Sequence, residues 1–175
     1  MILERFFEDR LVFELNLKPG TRQYEIFQAT FRTSSEDLAG VYERFDALLK
    51  ISEKNPDDFL KACKVVERTS NILKGVKNIQ DQIDPAKFEG DLERKLHEIL
   101  SSKSAGIETL SLQKKYEQAT REFSNSFYAP VHDFFEKVLV NVPDEKIRTN
   151  RQALMKKINK LYTEQIADLS FITNK

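Results

Sequence analysis

Positive charge is concentrated on two stretches of this chain. Residues 146–160, KIRTNRQALMKKINK, contain six basic residues and no acidic one, although the whole chain balances 28 Lys and Arg against 28 Asp and Glu. A second stretch, read as a helix at about 100° per residue, places three cations and an amide on one ridge: Lys61, Lys64, Arg68 and Asn71. Cations bind phosphates, and an Asn amide can hydrogen-bond a base edge or a ribose. The ridge could therefore bind RNA, and it could equally be an ordinary solvated helix face.

The remaining candidate RNA-binding residues lie on or next to the same two helices. Lys74 and Lys77 follow the first ridge, where positive charge also interacts favourably with the end of the helix dipole. Five more cations belong to the last helix: Lys146, Arg148, Lys156, Lys157 and Lys160. Four of these lie opposite the apolar arc of that helix. Arg148 lies at its margin and could serve either RNA binding or structure.

Arg151 is the exception to this pattern, because it falls within the apolar arc. Its neighbours there are Ile147, Leu154 and Ile158. A buried charge without compensation is costly, so the guanidinium must be paired or must reach a cleft. We expect a structural ion pair with a carboxylate such as Asp133. Contact with a ligand is the alternative.

Residue patterns typical of catalysis are missing from the sequence. The five glycines are scattered and form no phosphate-binding loop. His97 and His132 have no metal-ligand partners at recognisable spacing. His132 and Asp133 are adjacent and would point apart on a helix. We therefore predict no catalytic residue, no metal site and no cofactor for this chain.

The composition also bears on cellular location. A single cysteine, Cys63, cannot form an internal disulfide, which indicates a reducing compartment. No apolar run approaches the roughly 20 residues that span a membrane. The start MILERFFEDRL carries acids and lacks the features of a signal peptide. We expect a soluble, cytoplasmic protein.

Apolar residues recur at three- and four-residue spacing, which predicts an all-α fold. We expect one helical bundle over residues 1–175, with Ser34 and Asp37 starting the third helix in a capping-box-like pattern. The predicted helices cover 2–17, 22–32, a stretch from Ser34 to about 53, a stretch starting near 57, 91–103, 112–127, 130–140 and 144–169. The segment SSKSAGIETLS, 101–111, is predicted to interrupt the helices.

The C-terminal block resembles the end of the bacterial glycyl-tRNA synthetase β subunit. The similar residues are Phe134, Phe135, Val138, Val140, Asp144, Arg148, Asn150, Arg151, Leu154, Leu161 and the run 167–170, Ala-Asp-Leu-Ser. Upstream, VVERTSNILKG (65–75), Asp84-Pro85-x-x-Phe88-Glu89 and the opening Phe7-x-x-Asp9-Arg10-Leu11 pattern are also similar. The resemblance extends from about residue 2 to 172.

This resemblance implies a helical anticodon-binding domain like that of arginyl-tRNA synthetase, excised from the C-terminal part of a longer chain. It implies tRNA(Gly) and the synthetase α subunit as partners, with neither DNA nor a membrane. ATP and magnesium belong to the parent glycine–tRNA ligase, whose aminoacylation takes place on the α subunit. Tyr128, Tyr162 or Phe171 would stack on unpaired bases. The alternative function is a helical docking module within the synthetase assembly.

Overall fold

The protein is described by a computed structural model that covers residues 2–33 and 37–173. Seven α-helices lie within these ranges: α1 (Ile2–Glu14), α2 (Arg22–Thr33), α3 (Leu38–Lys54), α4 (Pro56–Leu73), α5 (Asp91–Leu112), α6 (Tyr116–Lys137) and α7 (Glu145–Thr163). Short 3-10 turns occur at Pro85–Lys87 and Leu169–Phe171. No strand occurs in the described ranges, and the all-α prediction is confirmed. Ser34, part of the predicted start of α3, lies outside the described residues.

Several helices begin where side chains can satisfy the free N–H groups of the first turn. Asp37 accepts a hydrogen bond from the Gly40 N–H at 3.0 Å at the start of α3. Asp144 accepts from the N–H groups of Lys146 and Ile147 at the start of α7. α4 begins with Pro56, whose fixed φ suits the first helical position. The predicted starts of α4 and α7 are confirmed to within a residue or two. α3 begins later than predicted, at Leu38, because Asp37 caps the helix instead of occupying its first turn.

The predicted interruption at 101–111 is wrong, because α5 continues through it. Ser101 donates to the carbonyl of His97, and Thr109 donates to that of Ala105. Serine and threonine hydroxyls are therefore bonded back along the helix instead of diverting the backbone from it. Ile107 is fully buried against the rest of the protein, so packing holds this segment helical despite its composition.

The two helices predicted at 112–127 and 130–140 are one helix, α6, with Pro130 inside it. Proline removes one hydrogen bond and normally breaks or kinks a helix. Here Phe123, Phe127, Val131 and Phe134 recur at helical spacing across the proline, and all are at most 1% exposed. Burial of this continuous apolar face supports the helix on both sides of Pro130.

The last helix ends at Thr163, earlier than the predicted 169. The chain then turns back, and the Asp168 N–H donates to the Ala29 carbonyl of α2 at 3.1 Å. The centre of the molecule is α4, which packs against α3, α6 and α7. Where α6 meets α7, the hydroxyls of Thr120 and Tyr162 are 2.8 Å apart in a buried hydrogen bond.

Candidate nucleic-acid interface

The first cationic ridge borders a cleft between α4 and α6. The cleft has a volume of about 190 Å³ and is lined by Lys64, Val65, Arg68, Tyr128, Val131 and His132. α4 contributes the cations because its opposite face is buried in the core. α6 contributes the rings because Tyr128 and His132 lie four residues apart, on one face of the helix. The structure thus joins two sequence-distant features, a basic ridge and an aromatic pair.

The aromatic pair in this cleft, Tyr128 and His132, is accessible to solvent. Tyr128 is 36% exposed. Its ring and that of His132 are nearly parallel, with an interplanar angle of 16° and centroids 6.4 Å apart. The Lys61 ammonium lies 6.0 Å from the Tyr128 ring centroid. Open ring faces beside cations are what single-stranded nucleic acid requires, since bases stack while phosphates meet positive charge.

Each cation of the ridge already has a carboxylate neighbour. Lys61 pairs with Asp57 at 2.7 Å, and Lys64 pairs with Glu67 at 3.0 Å. The hydrogen bond to Asp57 raises the pKa of Lys61, so this ammonium stays charged. Arg68 and Glu136 of α6 are 3.6 Å apart, which is beyond hydrogen-bonding distance. All three acids are near the surface, so these pairs contribute little to stability and can exchange for another anion.

The other members of this group lie at the C-terminal end of α4. Asn71, Lys74 and Lys77 are all exposed. Gly75, with a φ of +78°, ends the helix in the left-handed conformation that glycine adopts without strain. Within the described part of the chain, neither Lys74 nor Lys77 has a carboxylate within 4.0 Å. These lysines extend the basic surface beyond the cleft.

The α7 lysines form a separate surface of mixed charge. Lys156, Lys157 and Lys160 line a groove of about 420 Å³ with Asp81, Glu108 and Glu164. Lys156 contacts Asp81 at 2.7 Å and donates to the Ile79 carbonyl. Its hydrogen bond lowers the pKa of Asp81. Lys160 pairs with Glu164 at 2.5 Å, which raises the lysine pKa. Both surfaces thus place carboxylates beside their cations, and they differ in that the groove has no aromatic ring among the described residues of its lining.

The two remaining cations of the 146–160 stretch lie near the start of α7. Lys146 is exposed, about 15 Å along the helix from Lys156 by the helical rise. Arg148 donates to the carbonyls of Val142 and Pro143 at 2.8 and 3.1 Å. Its guanidinium therefore holds the loop that precedes α7. Sequence periodicity placed it at the margin of the apolar arc, and the bonds explain this position.

Arg151 lies at a junction of three segments. Its Nε donates to Oε1 of Glu93 at 2.8 Å, and both side chains are at most 7% exposed. Its two other nitrogens bond Glu89 at 2.8 Å and the Leu139 carbonyl at 2.9 Å. The suggested partner Asp133 is thus replaced by Glu93 and Glu89, which precede or begin α5. No local pattern reveals this pairing, because the partners are 58 and 62 residues away.

Asn150, beside Arg151, has a structural role that spacing alone does not indicate. It is fully buried, accepts from the Asp84 N–H at 2.8 Å and donates to the Asp84 carbonyl at 3.0 Å. Its amide thereby gives the Asp84 N–H an acceptor, whereas the Asp84 carbonyl also accepts from the Lys87 N–H at 3.0 Å. Asn150-Arg151 and the Asp84-to-Glu89 motif both belong to the resemblance seen in the sequence. The occurrence of both motifs in one chain was the sequence signal that could have indicated contact between these two segments.

Two of the three candidate stacking rings are less suitable than Tyr128. Tyr162 is fully buried, so its suggestion as a stacking surface is wrong. Phe171 is 45% exposed, but the Arg32 guanidinium lies 4.1 Å from its ring centroid.

In the described residues, no helix is long and apolar enough to cross a membrane. The same ranges contain no group of three or more His, Cys, Asp and Glu residues placed to hold a metal ion.

Relatives of this chain include glycine–tRNA ligase beta subunits from several organisms. This chain is 30% identical over 163 residues to the glycine–tRNA ligase beta subunit of Trichlorobacter lovleyi, and the match covers 93% of this chain and 22% of the relative. The corresponding subunit of Geotalea daltonii is 29% identical over 96% of the chain and 23% of the relative. The corresponding subunit of Psychromonas ingrahamii is 38% identical, over 83% of this chain and 23% of the relative. No protein-family profile matches.

The chain spans less than a quarter of the length of these curated relatives. The matched part nevertheless includes the α4 ridge, the α6 rings and the Arg151 junction in the relatives that cover nearly all of this chain. Along almost its entire length, the chain is therefore homologous to a limited region of glycine–tRNA ligase beta subunits.

Proposed function

We propose that this chain is the tRNA(Gly) anticodon-binding module of a glycine–tRNA ligase beta subunit, corresponding to its C-terminal part. The module itself is non-catalytic, and glycine is ligated with ATP and magnesium by the assembly with the alpha subunit. The α4–α6 cleft is the observation that carries this proposal. It combines Tyr128 and His132 with two cations, Lys64 and Arg68, on a chain homologous to part of a synthetase subunit.

The mechanism follows from the layout of the cleft. Lys61, Lys64 and Arg68 contact phosphates, while an unstacked loop base lies against Tyr128 and His132. Lys74 and Lys77 continue this track beyond the cleft. The lysines of α7 are secondary contacts, because the described lining of their groove has no aromatic ring on which a base could stack. The net charge of zero does not oppose binding, since the local field at one face governs association.

Binding to tRNA(Gly) across a salt series tests the proposal. Lys64→Glu combined with Arg68→Glu should weaken binding at least tenfold. Loss of two phosphate contacts should also reduce the slope of log affinity against log salt by about 1.4, at about 0.7 per single-stranded contact. A tRNA with a changed anticodon should bind more weakly to the wild type.

The matched control reverses two exposed cations on other helices, Arg10→Glu on α1 and Lys95→Glu on α5. It changes net charge equally and should retain most of the affinity. If the cleft variant and this control bind tRNA alike, RNA does not use the α4–α6 cleft. Equal binding of native and changed anticodons would mean that the protein binds the RNA backbone without distinguishing the anticodon bases.

A second function, docking within the synthetase assembly, is favoured by α1. Phe6 and Phe13 on this helix are 58% and 84% exposed. Single exposed apolar residues are common, but two aromatic rings on one short helix suit a protein contact. Capture of the alpha subunit that survives ribonuclease and is lost in Phe6→Ser/Phe13→Ser would support docking. Ribonuclease-sensitive capture would exclude it.

A further inference from the structure

We propose that Lys156 is a positioning residue for RNA binding: from α7 it fixes the loop between α4 and α5 so that Lys77 can meet a phosphate. The inference rests on the proposed function and narrows it, because it removes Lys156 from the α7 lysines that touch RNA. The observation behind it is the way in which residues 77–83 of this loop, the 77–83 segment, are attached to the rest of the protein.

The 77–83 segment has few contacts with the protein body. Apolar residues packed on the core include Leu73 before the segment and Ile83 at its end, but neither Val76 nor Ile79. Within the described part of the chain, Lys156 is the one residue outside the segment that forms a hydrogen bond or an ion pair with it. The position of the segment therefore depends on this lysine.

The Lys156 ammonium spends two of its three donors on this loop. It donates to the Ile79 carbonyl at 2.9 Å and lies 2.7 Å from Oδ1 of Asp81. The Lys156 side chain is 20% exposed, whereas that of Asp81 is 77% exposed. In the described residues, no backbone N–H donates to the Ile79 carbonyl. A phosphate at Lys156 would have to displace both contacts and leave this carbonyl to water.

Attachment at Ile79 limits where Lys77 can lie. Two residues of chain cover at most about 7 Å, so the Lys77 backbone stays within that distance of the fixed residue. The nearest other backbone groups with partners outside the segment are the N–H of Val76 and that of Asp84. Without Lys156, the whole segment is free between these two points, and ordering it on RNA would cost conformational entropy.

Lys77 is better placed than Lys156 to bind a phosphate. Its side chain is exposed, just after the chain leaves α4 at Gly75. No carboxylate lies within 4.0 Å of Lys77 in the described part of the chain. A phosphate that reaches Lys77 therefore displaces no ion pair, whereas one that reaches Lys156 must compete with Asp81. RNA gains more from Lys77, provided that its position is fixed in advance.

NMR relaxation of the free protein tests the anchoring. Backbone order parameters in the 77–83 segment should fall in Lys156→Met, from the rigid value of about 0.85 to below about 0.6. Lys156→Arg should restore them, because a guanidinium can donate to both loop acceptors. The matched control is Lys160→Met, which loses a lysine of the same groove that pairs with Glu164. This control should leave the segment ordered.

The salt dependence of tRNA(Gly) binding distinguishes positioning from direct contact. Each single-stranded phosphate contact contributes about 0.7 to the slope of log affinity against log salt. Lys77→Ala and Lys156→Met should each lower the slope by about 0.7. The double variant should lower it by no more than about 0.7, because both changes remove the same contact. Two independent contacts would instead give about 1.4. Lys156→Arg should retain the wild-type slope.

Three results would overturn the inference and leave the proposed function standing. They are slope changes of Lys77→Ala and Lys156→Met that add in the double variant, Lys77→Ala with the wild-type slope, and Lys156→Met with an ordered 77–83 segment. A wild type that fails to bind tRNA(Gly) would overturn the inference and the proposed function together.

Discussion

Replacement of Arg151 by methionine should destabilise the protein severely. Methionine retains much of the arginine's apolar bulk. The Glu93 carboxylate, which is only 1% exposed, would lose its guanidinium partner. Breaking a buried pair by removal of one partner costs about 3–5 kcal/mol. In a protein of this size, each kcal/mol lowers the melting temperature by about 2–4 °C. Thermal unfolding followed by circular dichroism should therefore show a decrease of about 6–20 °C.

The double variant Arg151→Met/Glu93→Gln separates charge burial from loss of packing. Oε2 of Glu93 accepts from the N–H groups of Glu89 and Gly90, both at 2.8 Å, and a glutamine oxygen can retain these bonds. The double variant should therefore be more stable than Arg151→Met alone, because no uncompensated carboxylate stays buried.

An exposed pair gives the control for this experiment. Arg10 and Glu14 are both more than half exposed, and Arg10→Met should change the free energy of unfolding by less than about 1 kcal/mol. Below its melting temperature, Arg151→Met should still bind tRNA(Gly), since Arg151 faces Glu93 and not the cleft. A decrease of less than 2 °C, or a stable variant without tRNA binding, would refute the structural role of Arg151.

Three further predictions concern stability. Asn150→Ala leaves the Asp84 N–H without its acceptor, whereas the Asp84 carbonyl keeps the Lys87 N–H. The variant should be destabilised by about 1–3 kcal/mol and cleaved faster near residues 74–90; unchanged cleavage would contradict this. Burial raises the pKa of Tyr162 above the usual value of about 10. The buried neutral hydroxyl stabilises the fold fully below that pH, and this stabilisation is lost above it because the unfolded chain ionises. Denaturant unfolding of Tyr162→Phe should therefore depend less on pH than that of the wild type between about 10 and 11. Gly106→Ala, in open space on α5, should stabilise by about 0.5–1 kcal/mol, whereas Gly75→Ala at φ +78° should destabilise by about 1 kcal/mol.

Local physical chemistry explains which elements the sequence could predict. Pro56 and Asp144 mark helix starts through bonds or angles within one turn, and the structure has them there. The pairing of Lys61 with Asp57 was also readable, because the two residues lie four apart on one helix. The requirement for a partner beside Arg151 followed from its place among apolar residues.

Contacts between distant segments explain what sequence reasoning missed. Serines and a glycine at 101–111 disfavour a helix locally, and only burial of residues such as Ile107 outweighs them. The same holds for Pro130 within α6. The positions of Glu93 beside Arg151 and of Tyr128 beside Lys61 depend on how helices pack, which spacing along one helix does not report. The RNA-binding role of the cationic ridge stays a prediction.

In the proposed RNA-binding role, the carboxylates beside the cationic ridge would compete with RNA phosphates for the same cations. Asp57, Glu67 and Glu136 are tethered next to Lys61, Lys64 and Arg68, so each anion acts at a high effective concentration. A free phosphate or a short acidic peptide must displace them one at a time with little gain. A folded RNA loop presents several phosphates and a base together, and it would displace all three in one event. Such internal competition would discriminate against small anions in a crowded cell without any dedicated gate.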